Sequence, residues 1–594
     1  MDSCVDLGGT PVAPNGVVPD VVVPSVVAAA VVLDAAVAAG VREVVVCPGS
    51  RSAPLALCAA RDPRVRVHTR IDERSAAFFA LGVARVTGRP AMVVMTSGTA
   101  VANCLPAVIE AAHAHVPLVV ASADRPAHLV GTGASQTIDQ VGMFGGFAEC
   151  VNVEPLPKRL SEDDAAGFTH AVSMLRTQVD HAFAQVGPQR PLQLNLQFDQ
   201  PLVGSVDAAT AWVRENLPVA DDATSSPKNT RNQQESHKWI DHGEVTVDLS
   251  KRTLVIAGDE AWPVEGLEDV PTMAEPTAPA PYLPVHPGAA RLFLSEQVSA
   301  EGYVVDTKPE QVIVVGHPTL HRGVMKLLKD PDVRLIVLSR TNQLTDPYRR
   351  ADATGTHIKT TGELDKNWLK VCSAASDLAA ETVRTALEDD TLGFTGLHAA
   401  AAVADTLAVG DTLILGASNP VRDASFLGLP YDGVSTYAPR GAAGIDGTIS
   451  QTLGVSAATS TLNPEEPRTP RTIALLGDVT FLHDAGGLNI PEHSPQPDNV
   501  TIVVANDSGC GIFETLEAGD PDYRDVFEQV FATPCNVDIA ALCDAYDWEY
   551  IRAETAQQLL DALVDTCEKP RGRTIIEAIT TRTTRRELAH KAQL

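Results

Sequence analysis

Hydrophobic positions along this chain alternate between two forms. Ala- and Leu-rich stretches of helical length are followed by short, continuous β-branched runs that end in Gly, Pro or Asn. VVAAAVVLDAAVAAG predicts a helix stopped at Gly40, and REVVVCPGS predicts a buried strand running into a Pro-Gly turn. RVRVHT, AMVVMTSGTA and PLVVASADRP predict further strands, with helices over ERSAAFFALGVARVTG, closed by Gly88, and VANCLPAVIEAAHAH. PLQLNLQFDQPL, residues 191–202, predicts the last strand of this unit. Apolar strands separated by helices imply a parallel sheet covered on both faces.

The pattern lapses from Pro218 to about Val245, where DDATSSPKNTRNQQESHK is too polar to build a core. It resumes with TLVIAGD, QVIVVGHP and VRLIVLSR, interrupted by a Pro-rich excursion, PTMAEPTAPAPYLPVHPG, that reads as a functional loop. A third unit, from near Leu378, carries DTLILGASNP, TIALLGDVTF and VTIVVANDSG. The expectation is an α/β protein of three doubly wound parallel-sheet domains. A loose tail at 1–20 precedes a first domain at 21–217, a linker and middle domain at 218–377, and a third domain at 378–594.

Composition narrows the function classes. The chain has 594 residues, 75 Asp plus Glu against 46 Lys plus Arg, and a net charge of −29, which disfavours nucleic-acid and anionic-membrane partners. Its 10 cysteines form no CxxC pair, so neither a zinc site nor a dithiol site is expected. The apolar stretch around Val21 to Gly40 is broken by Pro24 and Asp34, and the N-terminus lacks a cationic segment. A soluble cytoplasmic protein with reduced thiols is expected.

Chemistry is concentrated in the turns: CPGSRSAP, TSGTAVAN, SADRPAHLVGTGASQTIDQ, GASNPVRD, RGAAGIDG, GDVTFLHD and NDSGCGIF. In open parallel sheets ligands bind beyond the carboxyl ends of the strands, where such turns meet. Asp478 and Asp507, twenty-nine positions apart at two strand ends, can each offer a carboxylate oxygen to a hard cation, and Gly509 a carbonyl. Whether Asn506 or Asp507 stands nearer the metal is open at this point. Neither Cys47 nor Cys510 has an evident base partner, and no histidine shows metal spacing.

The GD…ND arrangement resembles the thiamine-diphosphate motif, GDG followed about thirty residues on by NN, with Val479 and Asp507 as departures. That cofactor needs a carboxylate against its aminopyrimidine N1′. Glu73, after the strand in HTRIDERSAAFF, offers one, with Asp72 beside it as a decoy and an ordinary first-turn acid as the plain alternative. CPGSRSAPL, HTRIDERSAAFFALG, TSGTAVANCLPAVIEA, SADRPAHL, RGAAGIDG and NDSGCGIFETL together closely resemble the 2-succinyl-5-enolpyruvyl-6-hydroxy-3-cyclohexene-1-carboxylate synthases of menaquinone biosynthesis. The resemblance is strong in both outer domains and loose in the middle one.

The resemblance implies decarboxylation of 2-oxoglutarate and 1,4-addition of the resulting succinyl-semialdehyde carbanion to isochorismate. It implies thiamine diphosphate with Mg²⁺ or Mn²⁺, the metal held by Asp478, Asp507 and Gly509. Glu73 is the implied catalytic acid. Ser50, Thr99, Ile445, Gly477, Ile512 and Phe513 complete the implied cofactor site, with Ile445 holding the cofactor bent. Ser50, Arg51, Arg125, Gln136, Arg322, Arg422, Arg440, Phe513 and Leu516 are the implied substrate contacts. Arginine suits dicarboxylates because its planar fork binds carboxylate bidentately. Ser135 replaces an Asn of the family, and His321-Arg322 replaces a Lys-Arg pair. The resemblance also implies a homodimer or dimer of dimers with active sites between subunits. Two rival readings remain: another carboligase, of the acetohydroxyacid type, or a non-catalytic cofactor-binding relative.

Overall fold

A computed structural model describes residues 22–158, 165–186, 189–217, 239–300, 303–462, 470–568 and 572–592. The expected tail at 1–20 and most of the expected linker, 218–238, lie outside them.

The first sheet contains β1 (Glu43–Val46), β2 (Arg66–Thr69), β3 (Ala91–Met95), β4 (Leu118–Asp124), β5 (Glu149–Val153) and β6 (Leu192–Gln197). All are parallel, in the order β2-β1-β3-β4-β6-β5. Strands β1, β3 and β4 are buried at every position, as continuous β-branched runs with helices on both faces must be. β6 is last in sequence but lies inside the sheet. The edge belongs to β5, ECVNV, whose exposed start and mixed polarity gave no strand signal.

The C-terminal sheet repeats this order. Thr412–Leu415, Ser435–Tyr437, Thr472–Gly477, Val500–Asn506, Glu549–Ala553 and Arg573–Ile579 are its first to sixth strands, arranged second-first-third-fourth-sixth-fifth. Two domains with one topology therefore present equivalent rows of strand ends.

The middle sheet has five parallel strands, with Gln311–Val315 at its centre between Arg334–Leu338 and Thr253–Ala257. The Pro-rich excursion is more ordered than a loop: Thr272–Ala274 joins the sheet edge, and a 3₁₀ helix covers Pro287–Leu294. The boundary expected at 377/378 needs correction, because it falls inside one helix, Lys366–Leu387. Trp368, Cys372, Ala375 and Ala379 on that helix pack into the middle-domain core, while Val383 and Ala386 join Leu588 of the C-terminal unit. Its Ala-rich, evenly amphipathic sequence has no break at 377 to read.

The two outer domains meet through helices Glu73–Thr87 and Thr448–Leu462. A Cβ on Gly454 would lie 2.0 Å from the Phe79 carbonyl oxygen, and one on Gly82 would lie 2.3 Å from that of Gln451. Backbone therefore touches backbone, and neither position admits a side chain without separating the helices. This contact anchors the helix that begins with Glu73 against the C-terminal domain. Among the described residues no helix is long and apolar enough to cross a membrane.

Candidate active site

Parallel pairing in register, Gly477 opposite Ala505, sets two adjacent strand ends side by side. Asp478 opens a short helix after one strand, and Asp507 follows the other. Asp478 is 3% exposed, and its Oδ2 accepts the Gly509 N–H at 2.8 Å. Burial pushes its carboxyl up to about 6. Burial, then the Asp478 charge, pushes Asp507 up to about 7. Two desolvated acids, one raised further by the charge of the other, form a pair whose charges a bound cation would offset.

The guanidiniums nearby are committed elsewhere: Arg582 to Glu514 and Glu528, and Arg585 to Asp423. Asn506 is committed too, donating to Glu577 Oε1 at 2.6 Å and accepting from Ser508 N–H. Asp507, not Asn506, is thus the partner of Asp478. The Gly509 carbonyl accepts from the Gly511 N–H at 3.0 Å and keeps a second lone pair. A Cβ at Gly511 would meet Asp507 Oδ2 at 2.1 Å, so this turn must be glycine for the carboxylate to sit where it does. Two carboxylates and a carbonyl fit a hard divalent cation that completes its octahedron with phosphate oxygens and water.

An apolar wall follows at once. Ile512 and Phe513 lie half-buried in the 3₁₀ turn Gly511–Thr515, with Leu516 capping it, and the Phe513 ring packs on Phe531 at 5.6 Å. Ile445 is half-buried in the turn before helix Thr448–Leu462, where its carbonyl accepts from Thr448 Oγ1. Gly477 caps the Asp478 helix in extended conformation.

Glu73 and Asp72 divide the work at the start of their helix. Asp72 is the N-cap, accepting the Arg74 N–H at 2.8 Å and the Ser75 N–H at 3.3 Å. Glu73 is therefore free of the capping role. Its Oε2 is reached by Asn103 Nδ2 at 3.4 Å. Arg74 donates to the His483 carbonyl at 2.9 Å, joining this helix start to the far end of the Asp478–His483 helix. Among the described residues no hydrogen bond or ion pair links Glu73 to Asp478 or Asp507 within one chain.

The arginines fall into two pairs. Arg51 donates to the Phe198 carbonyl, and Arg125 to Ser97 Oγ and the Gln136 carbonyl; burial, then the Arg125 charge, lowers the Arg51 pKa. Gln136 sits in the left-handed region and donates to the Ser97 carbonyl at 3.1 Å. Ser50 and Thr99 are exposed at the mouths of the neighbouring turns. Arg422 donates to the Ser418 carbonyl, while Arg440, 5% exposed, reaches Thr319 Oγ1. Burial, then Arg440, lowers the Arg422 pKa. None of these four makes an ion pair within 4.0 Å among the described residues.

Arg322 stands apart. Its side chain is 73% exposed and, among the described residues, forms an ion pair with Glu517 at 3.9 Å. Its neighbour His321, which is not among the implied substrate contacts, is the one that points inward. It bonds Ser425 Oγ at 2.8 Å, stacks edge-on to Phe426, and burial followed by the Arg422 charge pushes it down to about 3.

Two acids escaped the sequence reading. Glu110 is 3% exposed and accepts from the Gly441 and Ala442 N–H groups, fixing the RGAAGIDG turn from the first domain. Its signal was an acid on the apolar face of LPAVIEAAH. Glu275, in the Pro-rich segment, is also buried. Cys47 lies in the first-domain core with its thiol pushed up by burial and then Glu73, and burial raises Cys510 as well, so neither is an activated nucleophile.

Comparison with known proteins agrees with this geometry. Residues 27–143 match the thiamine pyrophosphate enzyme, N-terminal TPP binding domain family. A 2-succinyl-5-enolpyruvyl-6-hydroxy-3-cyclohexene-1-carboxylate synthase of Corynebacterium glutamicum is 56% identical over 93% of this chain and 95% of its own length. The corresponding synthase of Corynebacterium diphtheriae is 51% identical over 93% and 96%. That of Mycobacterium avium is 42% identical over 94% and 96%. The crystal structure of benzoylformate decarboxylase from Polynucleobacter necessarius superimposes with a TM-score of 0.60 at 14% identity, over 93% of this chain and 98% of that one, which speaks for the fold alone. On sequence identity across nearly its whole length, the chain belongs to the family of thiamine-diphosphate-dependent 2-succinyl-5-enolpyruvyl-6-hydroxy-3-cyclohexene-1-carboxylate synthases.

Proposed function

We propose that this protein decarboxylates 2-oxoglutarate and adds the four-carbon fragment to isochorismate, giving the family's product and CO₂ in menaquinone biosynthesis. Thiamine diphosphate, when bound, supplies an acidic thiazolium carbon that attacks the ketone and accepts the electron pair left by CO₂. The protein's residues arrange that chemistry. Asp478, Asp507 and the Gly509 carbonyl would hold Mg²⁺ or Mn²⁺, which would hold the diphosphate. Glu73 would keep a proton against the aminopyrimidine N1′. Ile445, Ile512 and Phe513 would exclude water around the reacting carbon, and Leu516 would extend that wall. Ser50, Thr99 and Gly477 would line the cofactor through the turns that carry them.

One observation carries the substrate reading: in a chain of net charge −29, Arg51 with Arg125 and Arg422 with Arg440 are coupled cations without ion-pair partners among the described residues. Each pair matches a dicarboxylate. Gln136 would add a polar contact beside Arg125, while Arg322 is too exposed to be placed in the same pocket. Replacing Arg51 by Met is expected to raise the KM of an acid substrate by roughly tenfold to a hundredfold while the melting temperature holds, since Arg51 contributes a single backbone hydrogen bond to the fold. Unchanged KM for both substrates would remove Arg51 from the site.

On this reading the active sites are shared between two subunits, in a homodimer or dimer of dimers, with Glu73 of one subunit serving the metal acids of the other. A cytoplasmic location accords with free thiols at Cys47, Cys58, Cys104, Cys372 and Cys543, all buried.

A further inference from the structure

A buried acid stands behind the arginines of the C-terminal domain. Glu275 follows strand Thr272–Ala274 of the middle domain and is 5% exposed. Its Oε1 accepts the backbone N–H groups of Thr319 and Leu320, both at 2.6 Å. Its Oε2 is buried with no hydrogen-bond partner. Thr319 Oγ1 in turn accepts from Arg440 Nη2, and Arg440 Nε is buried without a partner. One loop, 319–320, thus touches the acid through its backbone and the arginine through its hydroxyl. Asp423, the acid beside Arg422, is paired with Arg585 at 2.7 Å, so its charge is divided between the two arginines.

Two guanidiniums in a largely desolvated place need a counter-charge before any substrate arrives. Glu275 is the acid whose charge both of them feel. It is held too far for an ion pair, which leaves the guanidinium nitrogens not engaged by Thr319 or the Ser418 carbonyl to an incoming carboxylate.

We propose that Glu275 is a positioning residue: the fixed counter-charge, mounted on the middle domain, that keeps Arg440 and Arg422 aligned for a carboxylate of the dicarboxylic 2-oxoacid. This rests on the assignment of Arg422 and Arg440 to the substrate pocket. Burial pushes Glu275 up to about 7, against the Leu320 amide and the Arg440 charge. The other charges acting on it are Asp259, itself paired with Arg85 at 2.6 Å, and reciprocally Arg422. Burial lowers both histidines near Arg440, His317 and His321, the latter to about 3. Above about pH 7 Glu275 is therefore charged and aligns the arginines; below it the carboxyl is neutral and alignment is lost.

The test is the 2-oxoglutarate KM measured from pH 6 to 8.5, with cofactor and Mg²⁺ saturating, in wild type, E275Q, R440K and T319V. Wild-type KM is expected to rise as pH falls below about 7. E275Q is expected to show a KM about tenfold above wild type at pH 8, kcat within about threefold, and no inflection, because Gln mimics the protonated acid. A merely structural acid would change the melting temperature and not this split. If R440K leaves KM unchanged, the substrate assignment has failed. If R440K raises KM while E275Q keeps the wild-type KM and inflection, the positioning role is wrong. Should E275Q fail to fold, T319V carries the KM half of the prediction, since it removes the hydroxyl through which the loop held by Glu275 touches Arg440 and leaves the acid in place. A wild-type KM in T319V would then overturn the proposal.

Discussion

Glu73→Gln is expected to slow product formation and CO₂ release by roughly 10²- to 10⁴-fold, the range for removing a positioned acid-base group. The substitution is isosteric. Gln can still accept from Asn103 Nδ2, and Asp72 continues to cap the helix, so stability and Mg²⁺ binding should be unchanged. What Gln cannot do is hold a transferable proton. The measurement is CO₂ release from 2-oxoglutarate at saturating cofactor; a rate within twofold of wild type would remove Glu73 from catalysis. A mixing experiment extends the prediction to the subunit arrangement. Each Glu73→Gln subunit paired with an Asp478→Asn subunit would contain one doubly impaired site and one intact site. An equal mixture that exchanges freely should then recover about a quarter of wild-type activity if sites lie between subunits, and none if each chain holds its own.

Asp478→Asn is expected to do two opposite things. It should abolish activity by removing a charged metal ligand, with Mg²⁺ affinity falling at least about a hundredfold. It should also stabilise the metal-free protein. The folded pKa values of Asp478 and Asp507 are raised, to about 6 and about 7, so their contribution to stability is present at low pH and lost as pH rises through those values. At pH 8 both acids are charged, buried and mutually repelling. The neutral amide removes that penalty and can still accept the Gly509 N–H through its side-chain oxygen, which should leave the metal-free variant more stable by on the order of 1–2 kcal/mol. Thermal melts at pH 8, with chelator and then with Mg²⁺, check this. Wild type should gain from Mg²⁺ and the variant should not. A variant less stable than wild type in chelator would contradict the account of the pair.

The arrangement of this site was unevenly readable. Strands buried on both faces announced themselves as unbroken β-branched runs, and the residues at their ends, Asp478, Asp507, Arg51 and Arg440, could be read from the turns. Edge strands such as Glu149–Val153 and Ser435–Tyr437 gave no such signal, because one side of an edge strand tolerates polar residues. The domain boundary was hidden inside Lys366–Leu387, since a helix shared by two cores has no change of pattern at the point where it leaves one for the other.

Side-chain roles that depend on the partner's position were the least legible. Asn506 and Asp507 are adjacent in sequence and chemically interchangeable there; the Glu577 side chain separates them by claiming Asn506. His321 and Arg322 are neighbours in sequence, but their helix start turns the histidine toward Ser425 and Phe426 and leaves the arginine exposed. Glu110 holds a turn of another domain and Glu275 a loop 44 residues further along its own, and nothing local distinguishes an acid that caps a distant turn from one that faces solvent.

The central claim is that a metal-bound diphosphate cofactor and two arginine pairs join one dicarboxylate to another in this protein. Its most direct test is the disappearance of isochorismate with 2-oxoglutarate present, with and without thiamine diphosphate and Mg²⁺, while CO₂ is collected. The account predicts loss of isochorismate with one CO₂ released per molecule consumed, only when cofactor and metal are both present. Release of CO₂ from pyruvate with isochorismate untouched would contradict it.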